Sequence, residues 1–539
     1  MIYDILVIGS GACGVQAAYS ATKAGFRVGM IDFGNDEDSS IESFVPGLDF
    51  WNIRQSDKKQ HRYFLGDHFD GIPVGDIPVG AQLTPPRQYI TKDSDQLLPT
   101  DSESFFPLQS LAVGGLARGW GANAPPLNAD DLSDFPIGYD DLSSHYEKIA
   151  KRIGISGMHD DLLPFYGECQ ALQDPLELDE NGISIFSEYF KKKRRLNQKG
   201  FYIGRSRQAV LTKEYRNRDA HQYYDMSFWS DKDESVYRPH YTLRELKQFT
   251  NFNYHRPLLA HTFVENTDKT VEITCFKGSS DDRAVYRARR VIIAAGALST
   301  TRIVLRSLNK YDIKIPILSN PYTYVPTLNL NMLGKIPSER NHSFAQLAAV
   351  MKPPDPAHPL IHMTVHSYRS LLNFKLAKES PLPFPESMEL VRMVVPALAV
   401  IAFSHEDRPT QDKFCILRRA TQGERDRLEI SYISSDEDIR RQDAYERKIL
   451  RQFLKLKCIA FKKIRPGHAA SIHYGGSLPM NDQGDELTVD RNCKLAGTHS
   501  VYIADASVFP VLPSKGQTFA AMANANRISE HICQTLKRA

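Results

Sequence analysis

The stretch that most constrains this chain is Tyr3-Asp-Ile-Leu-Val-Ile-Gly9-Ser-Gly11-Ala-Cys-Gly14. Ile5 to Gly9 reads as a buried parallel strand, because an apolar run without alternation suits a strand covered on both faces. Gly9-x-Gly11-x-x-Gly14 follows. The first glycine allows a tight turn, the second lets main chain approach a pyrophosphate, and the third lets helix and strand pack closely. The next helix aims its positive N-terminus at the phosphates. A second strand, Arg27 to Ile31, ends in Asp32, about 20 residues beyond the glycines, where a carboxylate holds a ribose hydroxyl. Strand, turn, helix and acid together predict a dinucleotide site. By themselves they do not distinguish FAD from NAD(P).

A chain of 539 residues exceeds one simple core and predicts at least two domains. The net charge of +3 gives no global field for nucleic acid, and nucleic-acid partners are not expected. The seven cysteines form no CxxC pair, so neither a zinc site nor a disulfide framework is predicted. The first strand begins almost at the N-terminus with no signal peptide ahead of it, and a cytoplasmic location is the expectation. The apolar run Leu390 to Phe403 is short for a membrane span and carries Arg392 and Pro396. It predicts a buried strand, Ala397 to Phe403, hairpinned to a second near Lys413 to Arg418. No integral membrane segment is expected.

Residues 35–105, with the echo Gly71-Ile-Pro-Val and Asp76-Ile-Pro-Val, read as a long excursion of loops and short strands. The block Gly114-Gly115-Leu-Ala-Arg-Gly119-Trp120-Gly-Ala-Asn123 is dense enough in glycine to lie against a flat or charged group. A helix is predicted from Ser143 to Ile153, and a shorter one from Tyr241 to Gln248. Lys191 to Arg195 is a basic run best read as a solvated face. Strands are expected over Phe252 to Val264 and Thr270 to Phe276. Another, Val291-Ile-Ile-Ala-Ala-Gly296, ends in small residues at a helix start. Alternation at Thr327 to Met332, Ser343 to Met351 and Leu360 to Tyr368 predicts an antiparallel sheet with one exposed face. A long charged helix is predicted from Asp436 to Ile464. His362 and His366 lie in one of the alternating segments without a third ligand, so no metal site is predicted.

The C-terminal part carries the second signal: Ser471-Ile-His473-Tyr-Gly-Gly-Ser-Leu-Pro-Met480, then Val501-Tyr-Ile-Ala-Asp505-Ala-Ser, then Pro513-Ser514-Lys515-Gly-Gln517-Thr518 opening an Ala-rich helix. With the blocks at Gly9, Gly114 and Val291, in this order, the chain resembles the glucose-methanol-choline family of flavin oxidoreductases, in motif style its pyranose-oxidase-like branch.

The resemblance implies FAD. It implies a doubly wound, Rossmann-like α/β domain built from residues 1–34, 106–130, 252–310 and 466–539. A second domain of antiparallel sheet plus helices, from 35–105, 131–251 and 311–465, would cap it and take the substrate. It implies that Gly9, Gly11, Gly14 and Asp32 hold the ADP half and that Val264 touches adenine through its main chain. Gly114, Gly115, Trp120 and Asn123 would lie near diphosphate and flavin, Asp505 near ribityl or phosphate, and Gln517 and Thr518 at the flavin pyrimidine. His473 falls on the family's catalytic histidine, and an imidazole near neutral pKa suits removal of a hydroxyl proton.

Two positions depart from the family. The histidine that bonds flavin covalently in some branches is replaced by Gly119, which implies noncovalent FAD. The second His or Asn is replaced by Ser514, a hydrogen-bond donor but a poor base. Its neighbour Lys515 is a candidate to stabilise an alkoxide or carboxylate. The implied reaction is oxidation of a CH–OH group in a sugar, glycoside, polyol or other small alcohol, with oxygen, a quinone or a protein as electron acceptor. A redox-silent FAD enzyme of the same fold (a lyase, for example) and an FAD-bound partner-binding protein are the alternatives.

Overall fold

The computed structural model describes residues 2–36, 57, 59, 85–223, 233–335, 342–355, 358–367, 380–420, 425–469 and 471–538. Most of the 35–105 excursion, with its internal echo, lies outside these residues.

The first sheet is doubly wound. β1 (Ile2–Ile8) leads through α1 (Ala12–Lys23) to β2 (Val28–Ile31), and the chain returns to this sheet with β3 (Phe252–His255). A meander follows, β4 (Leu258–Glu265), β5 (Val271–Lys277) and the long β6 (Arg283–Ile293), then α2 (Ala297–Ser307). The C-terminal end adds β7 (Val501–Ile503) and α3 (Thr518–Arg538). The strand order is β3-β2-β1-β6-β5-β4, with β7 also on β6. β3, β2, β1, β6 and β7 run parallel, which is the strand order of a dinucleotide-binding sheet. β6 is long enough to do two jobs. Its Arg283 to Ala288 half pairs antiparallel with β5, and Val291 to Ile293 pairs parallel with β7. The predicted strand from Phe252 to Val264 is divided in two at Arg256 and Pro257, so β3 and β4 lie at opposite edges of the sheet.

The second sheet is antiparallel throughout: strands Cys458–Ala460, Tyr322–Asn329, Leu398–Ser404, Ile361–Ser367, Leu347–Met351 and Phe201–Arg205 lie side by side. Side chains alternate between its faces. One face, with Val325, Ile401, Phe403, Met363, Val365, Leu347, Ala349, Phe201 and Ile203, forms a core under the helices Glu180–Asn197 and Asp436–Lys455. Burying each such large side chain contributes about 1.5–3 kcal/mol. The other face carries Tyr322, Tyr324, Ser404, His362, Thr364 and His366, as the register requires.

Three expectations need correction. Leu398–Ser404 is the predicted buried strand, but it does not form a hairpin with Lys413–Arg418. The latter pairs with Arg427–Tyr432 in a separate four-stranded sheet, because Tyr322–Asn329 and Ile361–Ser367 already occupy both edges of Leu398–Ser404. The long charged helix ends at Lys455 rather than Ile464: Lys457 takes a left-handed φ of 66° and the chain turns into Cys458–Ala460. The helices Tyr139–Ile153 and Pro239–Leu246, expected in the cap, supply Tyr146, Ile149, Leu243 and Leu246 to the core of the first sheet.

The basic run lies on the helix Glu180–Asn197, where Lys191 and Lys192 pair with Glu188 at 2.7 and 2.5 Å and Lys193 pairs with Asp161 at 2.5 Å. Among the described residues no helix is long and apolar enough to cross a membrane, and no group of His, Cys, Asp and Glu is arranged to hold a metal. All seven cysteines are free and buried.

Candidate active site

A cavity opens at the C-terminal ends of β1, β2 and β6, where the strand order reverses between β1 and β6. It is lined by Gly9, Ser10, Gly11, Asp32, Gly115, Trp120, Gly296, His473, Asp505, Gln517 and Thr518, among others. Ligands of open α/β sheets bind at such a switch point.

The three glycines of the fingerprint have separable roles. Gly9 takes φ 97°, and a Cβ there would lie 2.5 Å from the Ala294 carbonyl oxygen. A Cβ on Gly14 would lie 1.9 Å from the Gly9 carbonyl oxygen. A Cβ on Gly11 would meet no protein atom within 4 Å, so that position is kept bare toward the cavity. Gly11 caps α1 without a side-chain hydrogen bond, which leaves the first-turn N–H groups for a ligand. Gly296, φ 87°, does the same for α2 and is equally open.

Asp32 is joined to the Gly-rich block by Ser10, which no motif marks. The Ser10 hydroxyl donates to Asp32 Oδ2 and accepts from the Gly114 N–H at 2.8 Å. The Tyr254 hydroxyl, from β3, donates to the same carboxylate oxygen at 2.8 Å. Burial raises the Asp32 pKa to about 6, against the hydrogen bonds from Ser10 and Tyr254 that favour the ionised form. Gly114 does not itself line the cavity; its neighbour Gly115 does, with Cα of Gly11 3.5 Å from where its Cβ would be.

His473 lines the cavity beside Gly516, where a Cβ would come within 3.4 Å of the imidazole Cε1. Its Nδ1 is 3.5 Å from the Tyr322 hydroxyl, and its Nε2 makes no hydrogen bond among the described residues. Burial lowers its pKa to about 4, so the ring is neutral near pH 7. Gln517 sits at the start of α3. Its main-chain carbonyl accepts from the Ala521 N–H at 2.9 Å, and its side-chain N–H donates to the Tyr474 carbonyl at 3.2 Å.

Several sequence-derived site residues are placed elsewhere. Val264 is 57 % exposed near the far end of β4 and lines no part of the cavity. The start of that strand, Leu258 to Ala260, lines a smaller adjoining cavity with Asp32 instead. Asn123 is outside the lining, with a buried Oδ1 that has no partner among the described residues. Ser514 is buried, also outside the lining, and its Oγ has no partner among the described residues. Lys515 points away from the cavity: its ammonium pairs with Asp131 at 2.5 Å and donates to the carbonyls of Pro126, at 3.2 Å, and Phe165. Burial lowers its pKa, opposed by Asp131. Asp505 lines the cavity, but protein donors occupy both carboxylate oxygens. Oδ2 accepts from Gly296 N–H at 3.0 Å and Thr300 Oγ at 2.5 Å, and Oδ1 accepts from Ser507 N–H at 3.0 Å and Ser507 Oγ at 2.6 Å. Asp505 therefore shapes the open N-terminus of α2.

Two buried acceptors test whether a dinucleotide fits. Gln109 Oε1 and Gln517 Oε1 both belong to lining residues and have no partner among the described residues. A buried acceptor without a donor costs about 1–3 kcal/mol. Gln109 lies in the part of the lining shared with Ser110 and Ala112, and Gln517 in the part shared with His473 and Tyr474. A ligand with N–H or O–H donors at both ends and an anionic middle facing α1 matches this set. Nothing in the motifs marked Gln109; only its place in the fold does.

Comparison with known proteins fits this geometry. A family model described as GMC oxidoreductase matches residues 424–525, which include His473, Asp505, Gln517 and Thr518. That segment is similar to the C-terminal part of the GMC oxidoreductases. No curated protein matches the chain by sequence. In fold it is similar to pyridoxine 4-oxidase from Mesorbium loti, at 13% identity and a TM-score of 0.59, over 98% of this chain and 99% of that one. It is also similar to an arginine-to-lysine variant of formate oxidase from Aspergillus oryzae RIB40, studied for its effect on FAD modification, at 12% identity and a TM-score of 0.58, over 99% of each chain.

Proposed function

We propose that the protein is an FAD-dependent oxidoreductase that converts a CH–OH group of a small neutral alcohol to a carbonyl. The observation that carries this reading is His473: a neutral imidazole, with one nitrogen unpartnered, in the same cavity as the glycine fingerprint and the start of α3.

Gly11 and Gly296 leave the N-termini of α1 and α2 open to the diphosphate, Asp32 and Gln109 take donors of the adenosine half, and Gln517 takes a donor of the flavin. Bound there, FAD supplies the two-electron acceptor for the hydride that leaves the carbinol carbon. His473 Nε2 takes the hydroxyl proton as the C–O bond becomes a carbonyl, so one proton and one hydride account for the two hydrogens lost. The N-terminus of α3 favours negative charge beside it. FAD is held without a covalent bond, since Gly119 offers no side chain to form one.

The substrate is proposed to be neutral because the cap face near His473 carries Tyr322, Tyr324, Ser404, Thr364, His362 and His366. Burial lowers the pKa of His362 to about 3 and of His366 to about 4. Lys515, the cation offered for an anionic substrate, is held by Asp131. Sugars, glycosides and polyols remain the first substrates to try, on the resemblance to the pyranose-oxidase-like branch.

The test is anaerobic mixing of the yellow protein with sugars, glycosides, polyols and simple alcohols, followed at the flavin band. Bleaching by one class is expected, and His473→Ala is expected to slow it by roughly 100-fold or more with FAD still bound. Acid precipitation should leave the flavin in the supernatant. No bleaching by any class overturns the oxidoreductase reading in favour of a redox-silent enzyme. Admitting oxygen, a quinone or a protein acceptor to the reduced protein then identifies the acceptor.

A further inference from the structure

A neutral imidazole carries one N–H, and the hydrogen bond made by one nitrogen decides which nitrogen keeps a lone pair. For His473 to accept a proton at Nε2, its hydrogen must sit on Nδ1. The groups that the sequence suggested as helpers do not reach the ring: Ser514 is buried without a partner outside the cavity, and Lys515 is held by Asp131.

The ring is met instead from the other domain. Tyr322 opens the second strand of the cap sheet, and its hydroxyl oxygen lies 3.5 Å from His473 Nδ1, the rings edge to face with centroids 5.7 Å apart. The contact does not depend on a loose backbone. The His473 carbonyl accepts from Asn320 N–H at 3.1 Å, and its N–H donates to Ser471 Oγ at 3.3 Å. Asn320, two residues before Tyr322, thus ties the main chains of the two residues together.

A phenol can point its hydrogen at Nδ1 or away from it. Pointed at Nδ1, it would leave Nε2 protonated and unable to act as a base. Ser404 decides between these. It is the register partner of Tyr322 on the adjacent strand, and its buried Oγ interacts with the Tyr322 hydroxyl and has no other partner among the described residues. A buried hydroxyl oxygen without a donor is costly, and the phenol hydrogen is the donor at hand.

We propose that Tyr322 is a positioning residue that sets the tautomer of His473: Nδ1–H donates to the phenol oxygen, the phenol hydrogen goes to Ser404 Oγ, and the Nε2 lone pair is left for the substrate hydroxyl. The cap sheet thereby orients the base carried by the FAD-binding domain, so that the base is correctly set only when the two domains are docked. This inference takes the role of His473 from the function proposed above, but the tautomer can be read without turnover.

The experiment uses the full-length, flavin-loaded protein with its histidines labelled with nitrogen-15. The His473 signals are assigned among the 17 histidines by their loss in His473→Gln. At neutral pH the wild type is expected to show a protonated Nδ1 and an unprotonated Nε2. In Tyr322→Phe the hydrogen is expected on Nε2, or shared, with flavin content unchanged. Ser404→Ala should move it the same way by a smaller amount. With a substrate in hand, Tyr322→Phe should slow flavin reduction by roughly 10- to 100-fold with little change in KM, within the range that a positioned base contributes.

An unchanged His473 tautomer in Tyr322→Phe overturns the proposal, as does a wild type already protonated at Nε2. A change in KM alone also overturns it and makes Tyr322 a substrate contact. If the tautomer moves as expected and no alcohol bleaches the flavin, the positioning role stands and the reading as an alcohol oxidoreductase fails.

Discussion

The parallel sheet borders the cavity, the antiparallel sheet meets it through Tyr322 at His473, and the two build their surfaces by different means. On the parallel side main chain does most of the work: Gly9, Gly11 and Gly14 keep side chains out, and the N-termini of α1 and α2 are left open. On the antiparallel side the face is made of side chains, Tyr322, Tyr324, Ser404, Thr364 and His366, brought together by strand register. A main-chain site tolerates almost no added atom. A side-chain site can lose a hydroxyl and keep its shape. The first is specified by local spacing and the second by pairing between strands distant in sequence.

The largest effect that would break this contrast belongs to the glycines. Gly14→Ala places a methyl 1.9 Å from a carbonyl oxygen, and loss of both flavin and folded yield is expected. Gly11→Ala meets no protein atom, so its melting temperature without flavin should match the wild type while FAD affinity falls. If both variants lose the same property to the same extent, packing and cofactor contact are not separable in this turn. The measurements are thermal melting of the flavin-free protein and flavin titration.

Next in size is Lys515→Met. It leaves Asp131 buried without its cation, and breaking a buried pair from one side costs about 3–5 kcal/mol. Denaturant unfolding should register that loss, with no preference for anionic over neutral substrates in the activity that remains. A selective loss with anionic substrates and unchanged stability would return Lys515 to the cavity.

The smallest contrast sets Gln109 against Val264. Gln109→Met removes a buried acceptor from the lining and should weaken FAD binding by roughly tenfold, the weight of about one hydrogen bond. Val264→Ala changes an exposed side chain outside the cavity and should leave the affinity unchanged. Equilibrium titration of the flavin-free protein with FAD checks both. The reverse ranking would place the adenine end along β4.

How much was legible in the sequence follows the same division. Several strands of both sheets were marked by apolar runs and alternation, and β1, β2 and Leu398–Ser404 fall within a residue or a few of their expected places, whereas Phe201–Arg205 and Cys458–Ala460 were not marked and the strand expected at Thr327 to Met332 runs Tyr322–Asn329. The hairpin to Lys413–Arg418 was not legible as an error, because two adjacent strands with a turn between them carry no sign that other strands have taken their edges. The long charged helix overran for a related reason. Its charged pattern continues past Lys455, and only the left-handed turn at Lys457 stops it.

By itself the sequence determined the turn of the dinucleotide site and the histidine at its far end. Glycine spacing acts through local sterics. Tertiary structure alone decided which polar side chains share the cavity. Lys515 and Ser514 sit three and four residues before the start of α3, yet they lie outside the cavity lining, and Lys515 is drawn to Asp131 across the chain. Gln109 and Tyr322 have no motif, and they enter through the packing of segments distant in sequence. The physical reason is that a backbone turn is set by its own few residues, whereas the partner of a buried polar side chain is set by whichever chain segment folding places beside it.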